Sequence, residues 1–243
     1  MSAFNISIFK KRDNIEHVWE DIIGVVVQPG VEFGNDFIHE YNREEAKELV
    51  EALDEYPSIV FEGHSTDYQT PAKLREMVED GVAILKVGPG LSFALRECLF
   101  ALAAIEEELM LYEDTKTSRL IEVLESTMLS QPDNWDKHYH GNQIELRLAI
   151  KYSFYDRARY YFGSEDIQTA IDMLFDNLRK QVIPLSLLSQ FLPIQYHKIR
   201  KGHLENDPYE IALDSISNVL DDYNYAVLSH TLQGVKVKRR FYV

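Results

Sequence analysis

The sequence contains a single cysteine, no long uncharged apolar run and few basic residues, and each scarcity excludes a class of protein. Cys98 alone cannot build an intrachain disulfide framework. Because it lies in an apolar helical run, we expect a small buried side chain there and not a nucleophile. No uncharged stretch approaches the length that spans a bilayer, and no basic segment followed by an apolar block opens the chain. We therefore expect a cytoplasmic protein that does not enter membranes.

Basic residues are outnumbered, since 25 Lys and Arg stand against 40 Asp and Glu and give a formal net charge of -15. A field of this sign repels phosphate backbones, so nucleic acid is not an expected partner. The sequence also has no GxxxxGK[ST] loop, which speaks against a P-loop kinase but leaves other kinase folds open. With 243 residues, of which 45% are hydrophobic, the chain can form one large domain or two small ones.

Three short apolar segments, each followed by a polar cluster and then by a helical pattern, are the most informative feature that is present. The segments are Val25–Val27, Ile59–Phe61 and Ala83–Leu85, and they end in the clusters Gln28–Glu32, Glu62–Asp67 and Lys86–Gly90. Apolar strands with ionisable ends that alternate with amphipathic helices are typical of parallel β/α units, whose strand ends lie at one rim. The sequence therefore predicts an α/β fold with a partial TIM-type (β/α) barrel of three units.

A helix over about Asp13–Ile22 is predicted before the first strand, and capping residues predict the next two helices. Asn42, with Glu45 three residues on, has the spacing of a capping box. Thr70 is expected to be an N-cap, since a proline follows it at the first helical position. Gly81 is expected to follow the end of the same helix as its C′ residue.

Beyond about residue 112 the alternation of strands and helices fades. Helices are predicted at Lys116–Met128, Asp166–Leu178 and Pro208–Tyr223, whereas Leu148–Phe154 and Pro184–Leu188 are predicted as either short strands or linkers. A closed barrel needs eight β/α units in about 250 residues, and three are recognisable here. We therefore predict a partial β/α barrel over residues 9–112 and a mainly helical C-terminal extension over residues 113–243.

Several multi-residue runs carry a family resemblance. The main ones are Val25–Phe33, Glu62–Thr70 and Ile84–Pro89, and shorter ones are Phe93–Glu97, Tyr152–Tyr161, Ile183–Leu185 and Ser189–Pro193. In this order they resemble the Z subunit of tagatose-1,6-bisphosphate aldolase, the GatZ/KbaZ-like family, over roughly residues 9–227. The opening Met1–Ile8 and the tail Ser229–Val243 do not resemble the family.

The resemblance implies a β/α barrel with a helical C-terminal extension, of which this chain is the C-terminal portion with the last three β/α units. Members of the family are the non-catalytic, chaperone-like component of a class II aldolase in tagatose- and galactitol-type carbohydrate catabolism. They are required for the activity and stability of the catalytic subunit, which is the expected partner here. The zinc ion belongs to that catalytic subunit, so no cofactor is expected in this chain.

The polar strand ends supply the candidate catalytic residues. If the three strands belong to one barrel, Glu32, His64, Asp67 and Lys86 converge and offer an acid, a base and a cation to a phosphorylated ketose. A lysine at a strand end also allows a Schiff-base aldolase, provided that it is desolvated. The structural alternative is that His64 and Asp67 make hydrogen bonds within turns and that Lys86 forms a buried ion pair.

A phosphate site is predicted where the third strand leads into its helix. Gly88 and Gly90 expose backbone N–H groups before a helix N-terminus, whose dipole favours an anion. Ser92 and Arg96 are the predicted side-chain contributors, although Arg96 has the alternative of pairing with Glu97 or with a neighbouring helix.

Two other segments have weaker chemical signals. His138 and His140 are close in sequence, but their spacing guarantees neither a helical pair nor a carboxylate ligand, so no metal site is predicted. The segment Tyr152–Phe162 combines aromatic residues with Arg157 and Arg159, which is typical of partner interfaces but equally consistent with packing.

Three functions remain open from the sequence. The first is an accessory subunit that stabilises a class II tagatose-bisphosphate aldolase, as the resemblance implies. The second is a sugar-phosphate aldolase or isomerase that uses the four candidate catalytic residues. The third is an inactive truncated fragment, whose unpaired strand edges would favour aggregation.

Overall fold

The computed structural model describes residues 21–111 and 115–232, with side chains up to residue 228. Within these residues the chain is an α/β protein with a parallel sheet and many helices. The strands are β1 (Gly24–Val27), β2 (Glu32–Phe33), β3 (Ile38–His39), β4 (Val60–Gly63) and β5 (Val82–Leu85). β1, β4 and β5 form a parallel sheet in the order β1-β4-β5, and β2 pairs with β3 as an antiparallel hairpin.

The helices increase in number towards the C-terminus. They are α1 (Arg43–Ala52), α2 (Pro71–Glu79), α3 (Gly90–Met110), α4 (Leu120–Ser130), α5 (Gln143–Tyr152), α6 (Glu165–Leu178), α7 (Leu185–Phe191), α8 (Pro193–Arg200) and α9 (Pro208–Leu232). Short 3-10 turns cover Leu53–Glu55, Pro132–Asn134 and Arg157–Tyr160.

The chain divides into two compact units. Among the described residues, the sheet unit comprises 21–33, 38–88 and 222–232, and the helical unit comprises 34–37, 89–111 and 115–221. This division places α3 with the helices that follow it. The domain boundaries predicted from the sequence, 9–112 and 113–243, rest on sequence patterns and stay a prediction.

The three strands of the parallel sheet form where they were predicted, because each is a short apolar run that buries one face. Phe61 of β4 and Val82 of β5 are register partners, and both are buried in the core of the sheet unit. Leu53, from the 3-10 turn that follows α1, and Met77, from α2, also belong to this core. On the other face of the sheet the side chains of β1 and β5 are exposed, with Val26 the clearest case.

The predicted N-cap residues do cap the helices of the sheet unit, but the predicted capping box of α1 does not form. The Asn42 side chain accepts a hydrogen bond from the backbone of Glu44 and thereby caps α1, whereas the Glu45 side chain accepts from the Asn42 side chain. Thr70 accepts from the Lys73 backbone N–H and caps α2. Gly81 follows α2 with a φ of 97°, a left-handed conformation that glycine adopts without steric cost.

Two segments after residue 112 differ from the prediction. Leu148–Tyr152 belongs to α5, and Leu185–Leu188 belongs to α7, so neither segment forms a strand. A capping box at the N-terminus of α5 favours the helix. The Asn142 side chain accepts a hydrogen bond from the backbone N–H of Glu145, and the Glu145 side chain accepts one from the backbone N–H of Asn142. This local signal outweighs the aromatic and β-branched composition of the segment.

Other helices agree with their predictions within a few residues. The helix predicted at Lys116–Met128 begins later, at Leu120, and the last helix continues beyond Tyr223 to Leu232. The predicted helix Asp13–Ile22 lies outside the described residues except for its last two, which are not helical.

The helical unit has a core of its own, to which α3–α9 contribute apolar side chains. Cys98 lies within it and is buried, as the sequence predicts. Burial raises the pKa of the Cys98 thiol to about 11, so the reactive thiolate is scarce at neutral pH.

Candidate functional site at the carboxyl edge of the sheet

The parallel ladder continues one step past the ends of β4 and β5 and fixes the backbone of two predicted site residues. The His64 N–H donates to the Val27 carbonyl at 2.9 Å, and the Lys86 N–H donates to the Gly63 carbonyl at 3.0 Å. His64 lies two residues beyond Glu62, and Lys86 lies two residues beyond Ile84, the register partner of Glu62. β5 has one extra residue opposite the step from Phe61 to Glu62, so Val82 and Ile84 lie on opposite faces although they are two residues apart. Beyond this irregularity side chains alternate, and His64 and Lys86 therefore belong to the exposed face of the sheet.

His64 is paired with a carboxylate that the sequence had not singled out. Its Nε2 atom lies 2.9 Å from Oε1 of Glu62, and both side chains are about one-third exposed. The two residues are two apart on an extended segment, so the alternation of the strand brings their side chains to one side. The two-residue spacing is the feature of the sequence that indicates a contact between Glu62 and His64.

Lys86 is held through its backbone while its side chain is exposed. Its carbonyl accepts a hydrogen bond from Thr66 Oγ1 at 2.9 Å. An exposed ammonium group is neither the buried ion pair nor the desolvated lysine considered from the sequence. A Schiff-base lysine needs a lowered pKa, which burial in an apolar pocket provides.

Asp67 is buried and holds the loop that leaves β5. Its Oδ1 atom accepts a hydrogen bond from the Gly88 N–H at 2.8 Å. A Cβ added at Gly88 would lie 3.2 Å from the other carboxylate oxygen, so glycine permits this close approach. Asp67 therefore makes the loop hydrogen bond of the structural alternative, and the Gly88 N–H that was predicted for phosphate is engaged with it.

The loop between β4 and α2 is built from buried polar side chains. Gln69 accepts a hydrogen bond from the Tyr41 N–H at 2.8 Å and donates to the His39 carbonyl at 2.9 Å. Ser65 and Tyr68 adopt left-handed conformations, with φ of 57° and 65°. Such non-glycine residues cost energy and persist where their surroundings fix them.

Thr66 connects this loop to the end of α9, the part of that helix that belongs to the sheet unit. It is fully buried, and its hydroxyl lies 2.9 Å from the hydroxyl of Tyr223. Burial, together with the charge of Asp67, raises the pKa of Tyr223 to about 12, against the effect of the Thr66 hydrogen bond. The sequence offered no local signal for this contact, which joins residues 157 positions apart.

Glu32 lies in the β2–β3 hairpin and not on the parallel sheet. It is the register partner of His39, and its side chain is exposed. The Gln28 side chain donates to Glu32 Oε2 at 2.8 Å. The contacts of Glu32 are therefore local to the segment after β1, and they do not join it to His64 or Lys86.

In the helical unit, Ser92 and Arg96 are both engaged with Asp156. Arg96 Nε donates to Asp156 Oδ1 at 2.6 Å, and Ser92 Oγ donates to Asp156 Oδ2. The side chains of Arg96 and Asp156 are 2% and 0% exposed. The Arg96 guanidinium also donates to the carbonyls of Lys151 and Ser153. Arg96 is thus a buried structural cation, and we do not retain it among the proposed phosphate ligands.

Gly90 is the first residue of α3 and is buried, and Pro89 precedes it at the N-cap position. Ser92 Oγ also donates to the Pro89 carbonyl at 3.0 Å. The hydroxyl predicted for phosphate therefore stabilises the first turn of α3.

A comparison with models of protein families identifies the family of this chain. The family model for the D-tagatose-1,6-bisphosphate aldolase subunit GatZ/KbaZ-like matches residues 3–228. The chain belongs to this family. The match confirms the resemblance found in the sequence runs and includes residues of both compact units. It begins at residue 3, so the expectation that the opening segment Met1–Ile8 does not resemble the family is wrong for residues 3–8.

A solved structure is similar to this GatZ/KbaZ-like chain. It is the crystal structure of "a probable tagatose 6 phosphate kinase from Sinorhizobium meliloti 1021", with 45% sequence identity and a TM-score of 0.81. The similarity covers 86% of this chain and 54% of that chain. The GatZ/KbaZ-like chain therefore spans about half the length of that relative.

Neither a metal-binding nor a membrane-spanning element is found in the part of this GatZ/KbaZ-like chain that the structure describes. Residues 21–111 and 115–232 contain no group of three or more His, Cys, Asp and Glu side chains that could hold a metal ion. Over the same ranges, no helix is both long and apolar enough to cross a bilayer. His138 and His140 are exposed.

Helix α5 of the helical unit carries an exposed apolar surface. Ile144, Leu148 and Tyr152 are 71%, 53% and 51% exposed, and they follow one another at intervals of four residues. We call these three residues the α5 stripe. The other side of α5 buries Ala149 and Ile150 in the core, so the helix is apolar on two faces.

Proposed function

We propose that this chain is a non-catalytic accessory subunit that binds and stabilises the catalytic subunit of a class II D-tagatose-1,6-bisphosphate aldolase. The observation that carries the proposal is the α5 stripe. Residues spaced by four lie along one side of a helix, and exposed apolar rows of this kind mark surfaces that another protein covers. The family, whose description names an aldolase subunit, supplies the identity of the proposed partner.

The surroundings of Lys86 also favour a binding role over catalysis by this chain alone. Its exposed side chain is the opposite of the desolvated amine that covalent catalysis on a sugar carbonyl requires. We propose further, from the family to which the chain belongs, that the catalytic subunit holds the zinc ion of the class II aldolase.

We further propose that the parallel sheet is part of a TIM-type (β/α) barrel. Parallel sheets are normally covered on both faces, yet one face here leaves Val26 and Ile84 exposed. That face is the one on which the interior of a barrel would lie, and it carries Glu62, His64 and Lys86 towards the carboxyl ends of the strands. Further strands would cover it, and a phosphorylated ketose would bind at this edge.

The double substitution Ile144→Gln/Leu148→Gln is expected to weaken binding to the catalytic aldolase subunit by about tenfold or more, because it removes apolar contact area from the interface. The measurement is co-purification and titration of the two subunits, together with aldolase activity and the lifetime of the catalytic subunit. Polar residues at exposed helix positions should leave the fold intact.

Val182→Gln is the matched control, since Val182 is an apolar residue of the same unit that is 77% exposed outside the stripe. Binding by this variant should equal that of the unsubstituted chain. Unchanged subunit binding by the stripe variant, or no effect of the unsubstituted chain on the catalytic subunit, would contradict the accessory role.

A second candidate is a sugar-phosphate aldolase or isomerase, favoured by the pairing of Glu62 with His64 beside Lys86 on one sheet face. It predicts turnover of tagatose or fructose bisphosphate by the purified chain and its loss in Lys86→Ala. Borohydride reduction in the presence of a ketose phosphate would leave a covalent adduct on Lys86 if a Schiff base forms. The accessory role predicts neither turnover nor an adduct.

A further inference from the structure

His64 and Lys86 occupy neighbouring positions on the exposed face of the parallel sheet. The Lys86 N–H donates to the carbonyl of Gly63, the residue before His64, so the register of β4 and β5 continues by one step past the strand ends. Adjacent strands lie about 4.8 Å apart, and residues paired across them point to the same face. The imidazole and the ammonium group therefore start from adjacent positions of one row.

The third position of this row belongs to Gln28, which continues the pairing of β1 with β4 by one step. Its side-chain amide donates to the Val31 carbonyl at 3.1 Å and to Glu32 Oε2 at 2.8 Å. The amide of Gln28 is thus engaged within the segment after β1. The cationic groups of the row are those of His64 and Lys86.

Glu62 determines which nitrogen of the His64 ring is available to a ligand. Nε2 lies 2.9 Å from Oε1 of Glu62, and among the described residues Nδ1 has no hydrogen-bond partner. An ionised carboxylate only accepts hydrogen bonds, so Nε2 carries a proton in this contact. Nδ1 then has a lone pair in the neutral ring and an N–H in the imidazolium. It can donate to an anion only after the ring has taken up a proton.

The ammonium group of Lys86 supplies a charge next to this proton-dependent donor. Lys86 is exposed, and within residues 21–111 and 115–232 its side chain has no ion-pair partner. Its backbone is held on both sides, because its N–H belongs to the ladder and its carbonyl accepts from Thr66 Oγ1 at 2.9 Å. The side chain therefore extends from a fixed position beside His64.

Four other ionisable side chains belong to the elements around the row. They are Glu32 of β2, His39 of β3, Asp67 of the β4–α2 loop and Tyr223 of α9. Burial, together with the charge of Asp67, raises the pKa of Tyr223 to about 12, so this hydroxyl stays protonated at neutral pH. His39 is exposed and lies on a different strand from His64, so its contribution can be removed separately by substitution.

We propose that His64 and Lys86 bind the phosphate group of the ligand at this edge, and that Glu62 makes the binding depend on proton uptake by His64. The inference rests on the proposed function, in which a phosphorylated ketose binds at the carboxyl edge of the sheet. The ammonium group of Lys86 contacts one phosphate oxygen, and Nδ1 of the imidazolium donates to a second. Such charge-assisted hydrogen bonds are roughly twice as strong as neutral ones. Glu62 is a positioning residue, because it acts through the ring of His64.

The experiment is a titration of the full chain with sulfate and with glycerol phosphate at constant ionic strength, followed by NMR of the His64 ring. Sulfate keeps its charge between about pH 6 and pH 8, where histidine titrates, so a change in its affinity reports on the protein. We expect saturable binding with uptake of one proton. The affinity for sulfate should fall by up to about tenfold per pH unit once the free ring is neutral.

His64→Gln and Lys86→Gln should each weaken sulfate binding at about pH 6 by tenfold or more, and His64→Gln should also remove the pH dependence. Glu62→Gln should flatten the pH profile, because a side-chain amide can donate to Nε2 and leave the N–H on Nδ1 of the neutral ring. His39→Gln and Lys47→Gln are the matched controls, since both residues are exposed in the same unit. Their pH profiles should equal that of the unsubstituted chain.

Absence of saturable binding, equal sulfate affinity at both ends of the pH range, or unchanged affinity in Lys86→Gln would overturn the site. Acetate binding as tight as sulfate binding would overturn the ligand class. These titrations use the chain alone, whereas the accessory role is measured with the catalytic subunit. Failure of anion binding with intact subunit binding would therefore refute this inference alone, and the opposite result would refute the accessory role.

Discussion

Replacing Asp156 by asparagine is expected to lower the free energy of unfolding by about 3 kcal/mol or more. The side chains of Arg96 and Asp156 are 2% and 0% exposed, so the substitution leaves a buried guanidinium without its counter-charge. Asparagine keeps the shape of the side chain and tolerates the left-handed backbone at this position. The expected loss therefore comes from the charge and its hydrogen bonds and not from backbone strain.

The measurement is urea unfolding followed by circular dichroism, with the slope of the transition compared between variants. Arg119→Gln is the control, because the Arg119–Glu122 pair is 69% and 61% exposed and exposed pairs contribute little. The double variant Arg96→Met/Asp156→Asn should recover part of the lost stability, since it removes the unpaired charge. A cost for Asp156→Asn no larger than that for Arg119→Gln would show that water or another group solvates the guanidinium.

The parts of the fold that sequence predicted are those with a local cause. The strand β5 is an apolar run followed by a polar cluster, and it extends over Val82–Leu85, one residue longer than the predicted segment Ala83–Leu85. Thr70 and Gly81 mark the two ends of α2 because an N-cap acceptor and a left-handed glycine act on the adjacent turn. Such signals extend over a few residues, so they can be recognised without knowledge of the tertiary structure.

The parts that sequence did not predict depend on residues far apart in the chain. The position of Arg96 near a helix N-terminus predicts a phosphate contact, but its partner Asp156 is 60 positions away. Glu32 was placed at a strand end because it follows β1, whereas the chain first forms a hairpin there. In both cases the sequence indicates a charged side chain near the end of a strand or helix, whereas its hydrogen-bond partner depends on the tertiary structure.

The candidate site was predictable in position but not in detail. His64 and Lys86 do lie at the carboxyl edge of the sheet, because parallel strands of similar length end at the same level. The alternation that places Glu62 beside His64 is a local signal, because the two residues are two positions apart on an extended segment. Tyr223, which contacts the β4–α2 loop from α9, had no such signal.

Gly63→Ala is expected to lower the free energy of unfolding by about 1–3 kcal/mol, because the added methyl group has no room in the core of the sheet unit. A Cβ at Gly63 would lie 2.7 Å from Val82 Cγ1 and 3.2 Å from Met77 Cε. Val82 and Met77 are themselves buried, and Val82 is branched next to the backbone, so it cannot turn away easily. The strain would fall on β4 directly before His64.

Gly163→Ala is the control, because a Cβ at Gly163 meets no atom within 4 Å. That substitution should be neutral or slightly stabilising, since alanine reduces the entropy of the unfolded chain. The comparison uses the same urea transitions, with the His64 ring signals in NMR as a local probe of the sheet edge. If Gly63→Ala were as harmless as Gly163→Ala, then β4 and β5 would have room to separate, and the close pairing that holds His64 and Lys86 on one edge would be wrong.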